Sequence, residues 1–318
     1  MNTREDRSAM MPGSSIGDGT KKVLKRLRAS QPFNSLATST VRALLSATGL
    51  RSEMVIKHLH RMGMVRSELP NGRILRLRSE ADDWVSNQIY WRGWSGYEPE
   101  TAPVFFRLAA RASVTIDVGA YVGFFTLLAA HANPRGLVYA FEPLSEVFDR
   151  LNRNVVLNEL INVRSISCAV GSVEGSAAFY HVPTYLPCSS SLSYEFMRSA
   201  ANVRSSTVPV IRLDRFVRDN ELGRVDLVKI DTESTEPEVL EGMAETIRRD
   251  HPYIVCEVLK GRGSEQRIED LIRSFGYHCY QLTPDGPVQR DHIEGHPSWL
   301  NYLFTVLSPA ELRGALAE

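Results

Sequence analysis

Asp117-Val118-Gly119-Ala120-Tyr121-Val122-Gly123 joins one apolar run, Val114 to Val118, to a second, Phe124 to Ala132. The first run is short and rich in β-branched residues, so it reads as a buried strand; the second reads as a helix. Open α/β sheets bind ligands beyond the carboxyl ends of their strands. Glycines in such a turn let backbone approach a ligand and leave the N–H groups of the helix start free. The spacing is G-x-x-x-G, not the G-x-G-x-x-G of dinucleotide sites. Asp117 would repel a pyrophosphate there and attract an ammonium group.

Downstream, apolar runs alternate with helical stretches. Leu137–Phe141 is expected to be a strand, Glu146–Asn158 a helix and Val163–Val170 a strand. An irregular insert, Phe179–Val208, follows; it is rich in Ser, Pro and Tyr. Then come Val225–Ile230 (strand), Glu238–Arg249 (helix), Tyr253–Val258 (strand), Glu265–Phe275 (helix) and two strands, Tyr277–Leu282 and Tyr302–Leu307. Alternating β and α implies a doubly wound sheet with helices on both faces. The last two strands, with no helix between them, read as an antiparallel edge pair.

Upstream, the character differs. Residues 1–20 lack periodicity and read as a disordered tail. Residues 21–80 carry thirteen Lys/Arg against three Asp/Glu, in a chain of 318 residues whose charges sum to zero. Val23, Leu24 and Leu27 mark one helix; Leu36, Val41, Leu44 and Leu45 mark a second, ended by Gly49. A third is capped by Ser52, with Val55, Ile56, Leu59 and Met62 on its inner face. Asn71-Gly72 then signals a hairpin. Ile74, Arg76 and Arg78 fall on one face of its second strand; Leu75 and Leu77 fall on the other. Three helices and a hairpin resemble a winged-helix module, so domains are expected at 21–80 and 81–318. Arg51, Lys57, Arg61, Arg66, Arg73, Arg76 and Arg78 would face phosphates if this module bound nucleic acid. The favoured reading is instead a packing, dimerisation or substrate-lid domain.

Hydrophobic residues are 43% and charged residues 23%, which excludes a disordered or fibrous chain. No apolar run reaches the length of about 18 residues that spans a bilayer. The start, Met1 to Asp6, has no apolar core, so no signal peptide is expected. The four cysteines (Cys168, Cys188, Cys256, Cys279) have no C-x-x-C spacing. A cytoplasmic, reduced protein without membrane contact is expected.

The second strand ends in Ala140-Phe141-Glu142-Pro143, with Glu142 lying 25 residues after Asp117. A carboxylate there can accept both hydroxyls of a ribose. With Asp117 upstream, the pair suits S-adenosylmethionine. These two motifs resemble the FkbM-type S-adenosylmethionine-dependent methyltransferases. Trp94-Ser95-Gly96-Tyr97-Glu98-Pro99-Glu100 is similar to the family's lead-in to the first strand. Cys168-Ala169-Val170-Gly171 is similar to its third-strand end. Val228-Lys229-Ile230-Asp231-Thr232-Glu233-Ser234-Thr235-Glu236 is similar to its fourth-strand signature. The resemblance runs from Asn87 to Leu307. It implies a seven-stranded Rossmann-like class I methyltransferase sheet and transfer to a hydroxyl of a small metabolite, sugar or lipid. Two residues depart from the family: Tyr121 stands where Asn is usual, and Ser234 where Gly is usual.

By this resemblance Asp117, Gly119, Tyr121 and Gly123 would lie at the methionine part, Glu142 at the ribose and Ala169 beside the adenine. Asp231 would face the crevice between donor and acceptor. Asp231, Glu233 and Glu236 fall within six residues, and crowding raises carboxyl pKa values. One of them would act as general base; the alternative is that Glu236 is structural and Glu233 caps the next helix. No resident metal is expected. The alternative is magnesium held by Asp231, Glu233 and Glu257. His292 and His296, four apart, and His181 read as loop residues. The insert could close over the site, with Tyr180, Tyr185 and Tyr194 lining an acceptor pocket or packing the lid. The expected enzyme is therefore an O-methyltransferase of secondary metabolites or sugars, with a homodimer as an option. The alternatives are an RNA methyltransferase anchored by the basic module, and a non-catalytic regulator that senses the cofactor.

Overall fold

The computed structural model describes residues 30–50, 52–182, 190–198, 200 and 202–317. The expected tail, the expected helix from Lys21, Arg51, Tyr185 and Cys188 lie outside these residues.

In chain order the elements begin with α1 (Gln31–Thr48), α2 (Glu53–His58), β1 (Met62–Glu68), β2 (Ile74–Glu80), α3 (Trp84–Arg92) and α4 (Ala102–Ala109). Next come β3 (Val114–Val118), α5 (Phe124–Ala132), β4 (Leu137–Phe141), α6 (Ser145–Leu157), β5 (Val163–Ile166) and β6 (Ala169–Val170). The insert forms β7 (Gly175–His181), β8 (Ser190–Ser191), α7 (Tyr194–Met197) and β9 (Arg204–Ile211). It is followed by α8 (Leu213–Asp219), β10 (Leu227–Ile230), α9 (Glu236–Gly242), α10 (Ala244–Asp250) and β11 (Tyr253–Glu257). The chain closes with α11 (Glu265–Ser274), β12 (His278–Thr283), β13 (Gly286–Arg290), β14 (Asn301–Thr305) and α12 (Pro309–Ala317).

These elements form two compact units, one ending at Gly63 and one spanning Met64–Glu318. In the first, the buried side chains of α1 are Asn34 and Thr38. Asn34 donates to the His60 carbonyl (2.9 Å) and accepts from the Met62 N–H (2.7 Å). Arg61 donates to the Ser35 carbonyl and to Thr38 Oγ1, both at 2.8 Å. The expected inner stripe differs, because Leu36 and Leu44 are exposed. Gly49 ends α1 with φ 68°, and the Ser52 hydroxyl caps α2, both as expected.

The hairpin expected to complete the N-terminal module divides differently, since β2 belongs to the second unit. The physical reason is hydrogen bonding. The N–H groups of Arg76 and Arg78 donate to the side-chain oxygens of Asn158 and Asn154, both at 2.9 Å. The Asn158 amide returns a bond to the Arg76 carbonyl at 2.6 Å. The open edge of β2 is thus satisfied by the C-terminal half of α6. Leu75 and Leu77 are buried, as their alternation predicts.

The main sheet has the order β13-β12-β14-β11-β10-β3-β4-β5. β5, β4, β3, β10 and β11 are parallel; β14 is antiparallel to β11 and β12. Alternate strand residues enter two separate cores: Leu227, Val255 and Ala140 in one, Val228, Ile254 and Phe141 in the other. That is the signature of a sheet covered on both faces. The seven expected strands are present, and Gly286–Arg290 adds an eighth at the edge. The last expected strand is not at an edge. β14 lies between β11 and β12 because all five of its residues are buried, which an edge position would not allow. The expected strand 163–170 splits, with β6 entering a second sheet, β6-β9-β7-β8, built by the insert.

Candidate active site

Strand order reverses between β3 and β10, where the chain leaves the sheet in opposite directions and opens a crevice. A cavity of about 250 Å³ sits there, at the ends of β3, β4, β6, β10 and β11. Six expected residues line it: Gly119, Tyr121, Glu142, Ala169, Asp231 and Glu233. Trp84, Tyr97, Phe141, Cys168, Phe179 and Glu257 also line it, as do Ser190 and Leu192 from the insert. The insert therefore covers the site, but Tyr180 and Tyr194 pack on each other, with ring centroids 5.3 Å apart.

Gly119 has φ 80°, and its N–H donates to the Phe141 carbonyl at 3.0 Å. The Asp231 N–H donates to the Val118 carbonyl at 3.0 Å, so the first and fourth strands meet at this turn. Glu142 is buried; its carboxylate accepts from the N–H of Tyr121 (3.0 Å) and of Leu144 (2.9 Å). Burial pushes its pKa up to about 8, outweighing those two bonds, which favour the anion.

Lys229 is wholly buried and donates to Asp231 Oδ2 (3.0 Å) and Asn301 Oδ1 (3.1 Å), with the Phe125 ring at 5.0 Å. Burial opposes its charge, yet Asp231, Glu98 and Glu257 hold it above the ordinary lysine range. Asn301 in turn donates to Glu98 Oε2 at 2.9 Å. Burial first, then the Asp231 carboxylate, lifts Glu98 to about 7 and Glu233 to about 8, against the opposing pull of Lys229. Glu233 and Ser234 both have left-handed backbone, φ 55° and 86°. The Ser191 hydroxyl donates to the Glu233 carbonyl at 2.7 Å, tying the insert to this turn.

Three expected site residues stand outside the cavity lining. Asp117 accepts a 2.6 Å bond from the Thr126 hydroxyl of α5. Burial lifts it to about 6. Gly123 caps α5 with φ 92°, and a Cβ there would lie 2.5 Å from Leu151 Cδ1. Glu236 Oε1 accepts from the N–H of Thr232 and of Ser234 and from the Thr232 hydroxyl, at 3.0–3.1 Å. It closes the turn after β10, the structural alternative for this residue. Among the described residues no group of three or more His, Cys, Asp or Glu is placed to hold a metal ion. His292 pairs with Glu269 (3.1 Å) and His296 stacks on Trp299 (4.3 Å), so these two do not act as a pair. No described helix is long and apolar enough to cross a membrane.

Lys229, Asn301 and Glu98 were not singled out as site residues in the sequence, although a lone lysine within Val228-Lys229-Ile230 is a signal. A buried ammonium needs partners.

The sequence profile described as the methyltransferase FkbM domain matches residues 117–279. Methyltransferase sdnD of Sordaria araneosa is 29% identical over 188 residues, which is 51% of this chain and 72% of that protein. The 31-O-demethyl-FK506 methyltransferase FkbM of Streptomyces tacrolimicus is 26% identical over 188 residues, which is 52% of this chain and 72% of that protein. The crystal structure of methyltransferase FkbM from Methylobacillus flagellatus superposes with a TM-score of 0.40 at 16% identity, over 72% of this chain and 56% of that one.

Proposed function

The chain belongs to the FkbM methyltransferase family, and on that premise we propose that it transfers the methyl group of S-adenosylmethionine to a hydroxyl of a small molecule. One observation carries the reading: a single cavity joins Glu142, at the end of the second strand of the sheet, to Asp231 and Glu233, at the end of the fourth. The cavity suits this cofactor. Glu142 is held by two backbone N–H groups at one end, where its remaining lone pairs can accept ribose hydroxyls. Phe141, Val147 and Cys168 give an apolar wall beside Ala169 for an adenine. Gly119 leaves backbone bare for the amino-acid end.

When bound, the cofactor supplies a methyl on a positively charged sulfur, which keeps the bonding pair when the methyl leaves. Asp231, fixed by Lys229, orients the site. Glu233 takes the acceptor's hydroxyl proton as the oxygen–carbon bond forms. Its raised pKa keeps it a competent base near neutrality. Most of the rate comes from positioning and from the exclusion of water by the insert. The Streptomyces relative is named for methylation at an oxygen of a small molecule, which supports a hydroxyl acceptor here.

The test is incubation with S-adenosylmethionine carrying a ¹³C methyl and a panel of hydroxylated small molecules, with RNA as a separate arm, followed by product mass detection. A labelled ether from a small molecule supports the proposal. Label appearing in RNA alone contradicts it.

A further inference from the structure

Glu257, the last residue of β11, is 8% exposed and lines the cavity. Its Oε2 is buried without a hydrogen-bond partner among the described residues. Burial, with the carboxyls of Asp231 and Glu233, pushes its pKa up, so it holds a proton in the cofactor-free protein, and a buried carboxyl oxygen normally has a partner. None of the catalytic roles assigned above uses it.

The carboxyls around it outnumber the buried cations. Glu98, Asp231, Glu233 and Glu257 interact with one another, and the buried cation among them is Lys229. Lys229 bonds directly to Asp231 and reaches Glu98 through Asn301. Arg262 eases Glu233, but it is exposed and stacked over the Phe196 ring at 4.7 Å. S-adenosylmethionine brings one net positive charge, from its ammonium and sulfonium against its carboxylate. Lys229 answers Asp231, Asn301 answers Glu98 and Arg262 eases Glu233, which leaves Glu257 as the carboxyl whose Oε2 has no partner among the described residues.

The walls point the same way. Trp84 and Tyr97 line the cavity that Glu257 faces. Aromatic faces attract cations, and carboxylates beside aromatic rings form a lining that selects an ammonium. We propose that the acceptor carries a protonated amine besides the hydroxyl that receives the methyl, and that Glu257 is the group that seats this amine. The proposal rests on the assignment of the cavity to methyl transfer and adds the charge of the acceptor to it. Acceptors with a carboxylate or phosphate at this position are rejected by the same charges.

The test uses the complex of the full chain with S-adenosylhomocysteine and three probes matched in shape: benzylamine, benzyl alcohol and benzoate. Each is titrated into wild type and into Glu257→Gln. Benzylamine is expected to bind wild type about tenfold or more tighter than benzyl alcohol, a difference of ~1.4 kcal/mol, with benzoate weakest. In Glu257→Gln the preference disappears while S-adenosylhomocysteine affinity is unchanged. Benzyl alcohol binding wild type as well as benzylamine would overturn the proposal, and that ranking decides even if the variant does not fold. So would a preference that survives in a folded Glu257→Gln. Failure of S-adenosylhomocysteine to bind folded wild type is a separate outcome, which removes the cofactor reading and this proposal with it.

Discussion

A Cβ on Gly119 would lie 1.8 Å from the carbonyl oxygen of Asp231. The ends of the first and fourth strands approach so closely that no side chain fits between them, and φ at Gly119 is 80°. The Gly119→Ala variant is therefore expected to lose about 3 kcal/mol of stability from backbone strain and overpacking together, and cofactor affinity with it. Denaturant unfolding measures this; a variant as stable as wild type would contradict the close approach.

The two departures from the family pattern both fall at left-handed backbone. Tyr121 has φ 50° and Ser234 has φ 86°. Asn tolerates the left-handed region better than Tyr, and Gly better than Ser. The Ser234 hydroxyl is also buried without a partner among the described residues. Ser234→Gly is expected to stabilise the protein by about 1 kcal/mol. Calorimetric melting reads this as a rise in Tm; a fall would show that the serine has a role of its own.

The three clustered acids separate by variant. Glu236→Ala removes the acceptor for two backbone N–H groups and one hydroxyl, and is expected to cost about 2–4 kcal/mol of stability. Glu233→Gln is expected to lower kcat by roughly 100-fold while leaving cofactor affinity in place and Tm no lower than wild type. Melting temperature and turnover measured on both variants distinguish the two roles; a catalytic loss without destabilisation in Glu236→Ala would reverse them.

Stability should depend on pH in a stated direction. Burial raises Asp117 to about 6, and Glu142 and Glu233 to about 8. Each binds its proton more tightly folded than unfolded. Their stabilising contribution is complete below the ordinary carboxyl range and is lost as pH rises through 6 to 8. The cofactor-free protein is expected to melt at lower temperature at pH 8 than at pH 6, with a smaller difference in Glu142→Gln. A Tm that rises over this interval would show that other groups dominate.

Much of this was legible in the sequence. Asp117 to Gly123, Ala140 to Pro143 and Val228 to Glu236 each combine a strand's apolar run with a turn, and local signals of that kind survive folding. The insert was not legible, because β7 and β9 each bury few residues. Phe179, Val208 and Val210 are covered, while their neighbours are mostly polar, small and open. β13 was missed although Thr283-Pro284-Asp285-Gly286 carries the turn chemistry of a hairpin. The central place of β14 is a tertiary fact that connection order cannot supply. At the site, the spacing from Asp117 pointed to Glu142, and the family resemblance pointed to Asp231 and Glu233. Neither could tell that Asp117 turns to Thr126, or that Glu98 comes in from a distant part of the chain.

The most direct test of the central claim is calorimetric titration of S-adenosylhomocysteine into wild type and into Glu142→Ala. The account predicts binding to wild type and affinity lower by about 100-fold in the variant, as expected for loss of two hydrogen bonds to the ribose hydroxyls. Equal affinity in the two folded proteins would contradict the assignment of this cavity to the cofactor.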